Sequence, residues 1–588
     1  MLVQVSQQSC FIQVSAAKNK SSFLKRALTV LLIFTAIGQQ LHAQHVVDAT
    51  TMSGKILAGY QGWFRTPGDR PGSTNWAHVF NSRGDTGKLL PARLALDTWP
   101  DMSQYDKDEQ TVVPGWTFPD GSPATMYSAQ NPKTVLRHFQ WMKQYGIDGV
   151  WLSEFCGSFR NGVPDPTMYT IMKNVQAAAK ATGRTWAFMW DMSSFGPTTS
   201  KEMVQNTLIN YWKKMVDDGI ATDPRYMHDH GKPVLLIWGF FPERPASQPD
   251  YMNAVIDFLE APGKYQCALI AGATNTWRSK GTPEFQAMLM RMQGLQPWSV
   301  GRRTTDPATG YSVPNTSEWA ADIAMCKAHG VVFQPVINSG THKAGPPPPP
   351  GTIQSVPRRM GQYLWQQFRD ADKTGVINSA FVAMFDEVNE GTQINKITSK
   401  PPVQAPFLTY NGATNDYYLR LVGEGAKYMR TGKAVPPTIP ISPFDAKKWY
   451  KLKNLASGLM LSNQSKTAKT SIMQAADGTD KNSEWQLVYL YDGSNGYFKI
   501  KNKLSGKVLY STADGAVSQA ADVPADYAKW HLEFDATANC RIINKVSGKA
   551  LSSNSTTTAN SPVVEVADPT KVEDLKTRDD LRWQVIEQ

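Results

Sequence analysis

Three carboxylates crowd the stretch Phe381-Val382-Ala383-Met384-Phe385-Asp386-Glu387-Val388-Asn389-Glu390-Gly391-Thr392. Its first half is a short apolar run of the kind that a buried parallel strand makes. Its second half is acidic, and buried carboxylates are costly unless they are paired or put to use. Two acids at one site can cleave a glycosidic bond. One protonates the leaving oxygen while the other activates a nucleophile or stabilises positive charge at the anomeric carbon. Glu387 and Glu390 are the candidate catalytic residues. At i, i+3 they would point to opposite faces of a straight strand. They converge only if the chain turns after Glu387, and Gly391 makes such a turn easy. Asp386, the third acid, is a candidate for substrate binding with no role of its own assigned.

Such groups need a scaffold that brings strand ends together. Strand-like runs recur at 55–64, 147–155, 185–192, 233–240, 266–272, 296–301, 331–338 and 380–387. Helical patterns fall between them at 131–145, 165–182, 200–219, 250–259, 283–293, 316–328 and 357–370, and a further one follows at 416–429. Strands alternating with helices in this way predict a parallel (β/α)8 TIM barrel over 48–431. An open doubly wound sheet is the alternative, but no glycine-rich phosphate turn follows the first strand. A long loop rich in Gly, Pro, Asp and Trp, running through Asp97-Thr98-Trp99-Pro100-Asp101, separates the first strand from its helix. Loops of that length are usually functional.

In such a barrel the chemistry sits at the strand C-termini. That rule selects Tyr60 and Trp63 after strand one, beside Gln61, and Glu154 on strand two. It adds Asp191 on strand three, Trp238 on strand four, and Trp277 and Arg278 after strand five. These are the candidate substrate-binding residues, with Arg302 and Arg303 at the edge. For each, a structural role is the competing explanation. The rule discounts His228-Asp229-His230, which precedes strand four and belongs to the opposite face. No metal or other cofactor is expected, and no Gly-x-Ser-x-Gly elbow, His-Glu-x-x-His helix or phosphate loop occurs.

From Trp449 the texture changes to β. Asn454-Leu455-Ala456-Ser457-Gly458-Leu459-Met460-Leu461 repeats as Asn502-Lys503-Leu504-Ser505-Gly506-Lys507-Val508-Leu509. It repeats again as Asn544-Lys545-Val546-Ser547-Gly548-Lys549-Ala550-Leu551, and each unit later carries a Trp at 485, 530 or 583. Threefold repetition with an Asx-Ser-Gly turn per unit predicts an all-β β-trefoil over 448–588, joined by a Pro-rich linker at 432–447. The module resembles the ricin-B lectin family, whose Gln-x-Trp signature the three Trp residues fit, loosely in the second and third. The resemblance implies a carbohydrate-binding domain with up to three sites.

The barrel carries a second resemblance. Gly59-Tyr60-Gln61-Gly62-Trp63-Phe64, Tyr145-Gly146-Ile147-Asp148-Gly149-Val150, Pro297-Trp298-Ser299-Val300-Gly301 and the 386–392 stretch resemble the glycoside hydrolase family 71/99-like proteins. Family 99 comprises endo-acting α-mannosidases on (β/α)8 barrels, and family 71 comprises α-1,3-glucanases. Family 99 carries a Glu-x-x-Glu pair that Glu387 and Glu390 match. The resemblance implies Glu390 as general acid/base and Glu387 as base for the substrate's own 2-hydroxyl, through an epoxide-like intermediate. A family 71 pattern would instead imply a carboxylate nucleophile. This chain has Val388-Asn389 where family 99 has Trp-His. That departure motivates the alternative of a non-catalytic glycan-binding protein on a degenerate hydrolase barrel.

Composition sets the remaining bounds. At 588 residues, 41% hydrophobic and 19% charged, the chain is globular and long enough for more than one core. The net charge is +11, with cations interspersed among acids and no basic block, so no nucleic-acid partner is expected. Residues 1–43 read as a signal peptide behind an N-terminal extension: Lys20, Lys25 and Arg26 precede an apolar stretch too short to span a bilayer, and Leu41-His42-Ala43 precedes a plausible cut. Removing it leaves +7 and no stable membrane span. Cys156, Cys267, Cys326 and Cys540 are widely spaced, predicting buried thiols with no disulfide framework. The expected protein is a secreted or periplasmic monomer acting on a polysaccharide or glycan, with a lectin module for tethering.

Overall fold

A computed structural model of the chain describes residues 46–81, 89–341, 356–375, 377–478, 481–512, 515–522, 524–568 and 578–588. The signal-peptide expectation at 1–43 and the proline run Pro346–Pro350 lie outside the described residues. Val47–Gln588 form one compact unit. Among the described residues, no helix is long and apolar enough to cross a membrane.

Eight parallel strands form the first domain: β1 Ile56–Tyr60, β2 Gly149–Phe155, β3 Thr185–Asp191, β4 Lys232–Phe240, β5 Ala268–Thr274, β6 Gly294–Trp298, β7 in two pieces at Val332–Phe333 and Val336–Asn338, and β8 Ala380–Ala383. Neighbours pair in chain order, and β8 returns to pair with β1 through Ile56–Ala380, Leu57–Phe381 and Ala58–Val382. The ring closes through the divided strand. The first piece of β7 pairs with β6 and the second with β8, on either side of Gln334-Pro335. Pro335 has no N–H to give to a ladder, which accounts for a break at that point. The result is a (β/α)8 barrel.

Helices follow the strands: α1 Pro132–Tyr145, α2 Pro166–Thr182, α3 Lys201–Asp217, α4 Pro249–Glu260, α5 Pro283–Leu289, α6 Trp319–Ala328, α7 Gln362–Lys373 and α8 Tyr417–Thr431. Their starts are written locally. Asn131 and Asp165 accept the backbone N–H groups of Lys133 and Thr167, and Pro follows each cap at the first helical position. β8 stops at Ala383, four residues short of the expected 380–387 run. The acidic half of that run is therefore loop rather than strand.

The second domain is a closed six-stranded antiparallel barrel of Tyr450–Asn454, Trp485–Tyr491, Gly496–Asn502, Trp530–Phe534, Cys540–Asn544 and Trp583–Glu587. Three hairpins cap it, so it is a β-trefoil. The repeats encode its joints. Asn454, Asn502 and Asn544 each accept two backbone N–H groups in the turn that follows. The buried indoles of Trp485, Trp530 and Trp583 donate to the carbonyls of Leu461, Leu509 and Leu551, at 2.9, 3.0 and 3.0 Å. These Trp residues are core staples.

The connecting segment is anchored at both ends. Trp365 of α7 donates to the Pro436 carbonyl at 2.9 Å, and the Tyr489 hydroxyl donates to Ile439. Phe444 packs against Tyr450, Phe498 and Phe534 of the trefoil. Cys156, Cys267, Cys326 and Cys540 are buried free thiols.

Candidate active site

Asp386 has a positional task. Its two carboxylate oxygens accept the backbone N–H groups of Gln61 and Gly62, both at 2.8 Å. The side chain is buried and joins the loop after β1 to the end of β8. Burial pushes its carboxyl up to about 6, against the downward pull of those two N–H donors. Gly62 sits at φ +60, a left-handed conformation that glycine adopts without strain. This clamp fixes the start of the loop that carries Gln61 and Trp63.

Glu387 follows. Its Oε1 accepts from the Gln61 amide at 3.2 Å and its Oε2 from the Thr392 hydroxyl at 2.7 Å. It is 6% exposed. Burial raises its pKa, and the charge of Glu390 raises it further. Glu390 is half-buried, and loss of solvent raises its pKa too. The chain turns between them: the Glu390 N–H reaches the Glu387 carbonyl at 3.4 Å, and Gly391 takes φ +62. Two carboxyls whose charges oppose one another favour a state with one proton between them. One can then donate while the other accepts.

Donors from distant segments hold that turn. The Arg358 guanidinium donates to the carbonyls of Gly391 and Gln393 at 2.7 and 3.0 Å, and it lies over the rings of Tyr410 and Tyr418. Ser339 donates to the Thr392 carbonyl and Thr341 to the Glu390 carbonyl. On the other side, the backbone N–H groups of Asp97 and Thr98 both reach the Val388 carbonyl, at 3.0 and 3.2 Å. Asp97 thereby becomes a fourth carboxyl at the site. Burial, then the charge of Glu390, pushes it up to about 8.

Aromatic rings near the strand ends pack in two groups. Trp63 is sandwiched between His78 and Phe155, near-parallel to both at 4.1 and 5.8 Å between centroids. Burial and the nearby Arg65 push the His78 imidazole down to about 4, so it is neutral at physiological pH. Trp238 meets Trp298, which in turn meets Phe381. These rings belong to β4, β6 and β8, strands that do not pair with one another, so they meet across the barrel interior. The indole nitrogens of Trp63 and Trp238 are buried with no hydrogen-bond partner among the described residues.

Other residues singled out in the sequence lie elsewhere. Tyr60 is buried, with its hydroxyl 2.9 Å from His138 on α1, so it faces the helix layer. Glu154 is likewise turned outward. Its Oε2 accepts from Tyr211 of α3 at 3.0 Å, and burial raises its carboxyl to about 8. Arg278 is ion-paired to Glu318 and Asp322, and Trp277 is fully buried. Asp191 stays near the mouth, accepting the Ser193 N–H at 2.6 Å. Thus Glu387, Glu390 and Asp386 come together and hold the loop that carries Trp63, whereas Tyr60, Glu154, Trp277 and Arg278 are held by other contacts. His228 is bonded to the Tyr226 and Ala221 carbonyls, and Asp229 accepts the Met52 N–H. Sequence reasoning missed Asp97 and Arg358. The Asp97-Thr98-Trp99-Pro100-Asp101 run was the available signal for the first, and nothing local marks the second.

Comparison with known proteins bears on both domains. The ricin-type β-trefoil lectin domain-like family matches residues 443–515 and 481–566. The C-terminal domain is similar to the ricin-type lectins. No curated protein matches the sequence. Among solved structures, the lectin-like trefoil aligns with the designed threefold-symmetric protein ThreeFoil, at 28% identity, 24% of this chain, 99% of that chain and a TM-score of 0.21. It also aligns with a GlcNAcα1-4Gal-releasing endo-β-galactosidase from Clostridium perfringens, at 18% identity, 24% of this chain, 32% of that chain and a TM-score of 0.20. The barrel is similar to the GH99 endo-α-mannosidase from Bacteroides thetaiotaomicron. That match has 18% identity, 65% of this chain, 99% of that chain and a TM-score of 0.46.

Proposed function

We propose that this chain is a secreted or periplasmic glycoside hydrolase that cleaves an α-linked polysaccharide or glycan, with its trefoil tethering the enzyme to the polymer. The observation that carries the reading is the Glu387/Glu390 pair. Two desolvated carboxyls, the charge of one raising the other, occupy a turn past the C-terminal end of β8, where Asp386 clamps the loop that carries Trp63. In this reading the Glu390 carboxyl gives its proton to the glycosidic oxygen as the C1–O bond breaks. Glu387 takes the proton of the substrate's 2-hydroxyl, whose oxygen closes on C1, as the family 99 resemblance implies. Water then opens the ring with the proton transfers reversed. A family 71-type route would use a carboxylate as the nucleophile on C1 instead. Gln61 and Thr392, both donating to Glu387, orient it and favour its ionised form. Tethering by the trefoil raises the local concentration of polymer at the barrel mouth.

The test is a hydrolysis screen of the full-length protein on α-mannan and α-glucan, with Glu390→Gln and Glu387→Gln beside it. Hydrolysis that falls by about 10²-fold or more in both variants supports the roles given. A Glu390→Gln variant at wild-type rate removes Glu390 from proton transfer. Retention on polymer without hydrolysis would instead mark a non-catalytic glycan-binding barrel, the reading that Val388-Asn389 keeps open.

A further inference from the structure

Two clefts that share Lys400, one among the barrel loops and one between barrel and trefoil, make up a groove apart from the carboxylate pair. One cleft, of about 480 Å³, has a floor of Met102, Phe118 and Pro119 and an edge at Lys400. A second, of about 320 Å³, begins at the same Lys400 and continues past Thr409 and Asn411 to Asn539 and Gln584 of the trefoil. Both volumes fall in the range of about 300–1,000 Å³ usual for ligand clefts. None of Asp97, Asp386, Glu387 and Glu390 lines either one. The buried run from Thr392 to Ile397 separates the groove from the catalytic turn along the chain.

The walls are tied down by hydrogen bonds and part of the lining is uncommitted. The 398–408 segment is tied to the β1 loop through Thr398 N–H to the Trp99 carbonyl, Val403 N–H to the Thr117 carbonyl and Leu408 N–H to the Asp97 carbonyl. The Gln404 amide makes two bonds to Thr117, both 3.0 Å. On the trefoil side, Asp535 accepts the N–H groups of Thr537 and Asn539 and ties that turn to Arg582. Between these walls, the exposed side chains of Lys400, Asn411 and Gln584 make no hydrogen bond to any described residue. Amides and hydroxyls that both donate and accept, above an apolar floor, match a polyol with alternating C–H faces and hydroxyls. Among the described residues, the lining sets Lys400 against Asp101, Asp120 and Glu587, which disfavours an anionic ligand.

We infer that this groove is a second glycan-binding site, shared by barrel and trefoil, that holds a neutral segment of the polysaccharide chain away from the site of cleavage. The inference rests on the glycan reading of the protein but not on hydrolysis. It also gives the trefoil a task beyond its own lobes, because Asn539 and Gln584 complete a site whose other half is barrel.

Affinity electrophoresis of full-length protein through gels containing α-mannan or α-glucan tests it. Two double variants serve, Asn411→Ala with Gln584→Ala and Lys400→Ala with Phe118→Ala, each checked for an unchanged thermal midpoint. Retardation weaker by about five-fold or more in both, with hydrolysis of a short aryl glycoside within two-fold of wild type, is the expected result. Wild-type retardation in both double variants overturns the site, as does a wild-type protein that no gel retards. The two readings fail separately. Weakened retardation without any hydrolysis leaves the groove standing and removes the hydrolase, whereas hydrolysis with unchanged retardation does the reverse.

Discussion

Asp386→Asn isolates the clamp that links the two halves of the site. The native carboxylate accepts two backbone N–H groups at 2.8 Å inside the protein. At pH 7.5 it lies above its value of about 6 and is ionised. An asparagine keeps one acceptor oxygen and turns an NH2 toward the other N–H. One charge-assisted bond is lost and one buried donor is left unsatisfied. Bonds to charged groups contribute about 1.5–3 kcal/mol and an orphaned donor costs about 1–3 kcal/mol, so a loss on the order of 3 kcal/mol follows, allowing for overlap between the two. In a domain of this size that lowers the thermal midpoint by on the order of 5 °C. Gln61, which donates to Glu387, sits on the released loop, so turnover should fall roughly ten-fold as well, about 1.4 kcal/mol of transition-state stabilisation. Differential scanning calorimetry and hydrolysis kinetics on the same preparation give both numbers. A midpoint unchanged within a degree refutes the clamp. If activity alone collapsed, Asp386 would have to act in the chemistry rather than through Gln61.

Two further outcomes are expected. Burial raises the folded-state carboxyl of Glu154 to about 8 from an ordinary 4.5, so the folded protein holds a proton there that the unfolded chain has released. That stabilisation is complete below about pH 4.5 and is lost as pH rises through 8, so the wild-type thermal midpoint should fall more steeply between pH 6 and 9 than that of Glu154→Gln. Equal slopes in a differential scanning fluorimetry series would show that Glu154 is not the group responsible. Arg358→Lys withdraws the one guanidinium nitrogen that bridges the carbonyls of Gly391 and Gln393 while keeping the charge. Turnover should fall about ten-fold with KM within two-fold, because the turn is misplaced while the groups that grip the substrate stay where they are; a raised KM at unchanged kcat would assign Arg358 to substrate instead.

Much of this architecture was legible in the residues. Eight strand-like runs alternating with helical ones announce the barrel, because a parallel strand buried on both faces must be apolar along its length. The three Asn-x-x-Ser-Gly turns and their Trp partners announce the trefoil, because each repeat carries its own turn and staple. The Glu387–Glu390 spacing with Gly391 announced a turn, since only a break in the strand lets i and i+3 meet. Those signals are local, and local geometry follows from neighbouring residues.

What tertiary structure decided was direction and partnership. Strands with both faces buried carry no alternation to say which side faces the lumen, so Tyr60 and Glu154, at promising strand ends, turn toward α1 and α3 instead. Arg278 sits after β5 as expected, yet Glu318 and Asp322, tens of residues later, claim its charge. Asp97 reaches Glu390, and Arg358 reaches Gly391 and Gln393, only because closure of the barrel brings β7, β8 and the β1 loop into contact. Asp386 shows the division most plainly. Its type and position stand in the sequence, but its partners are two N–H groups some 324 residues away, and only the β1–β8 pairing puts them within reach.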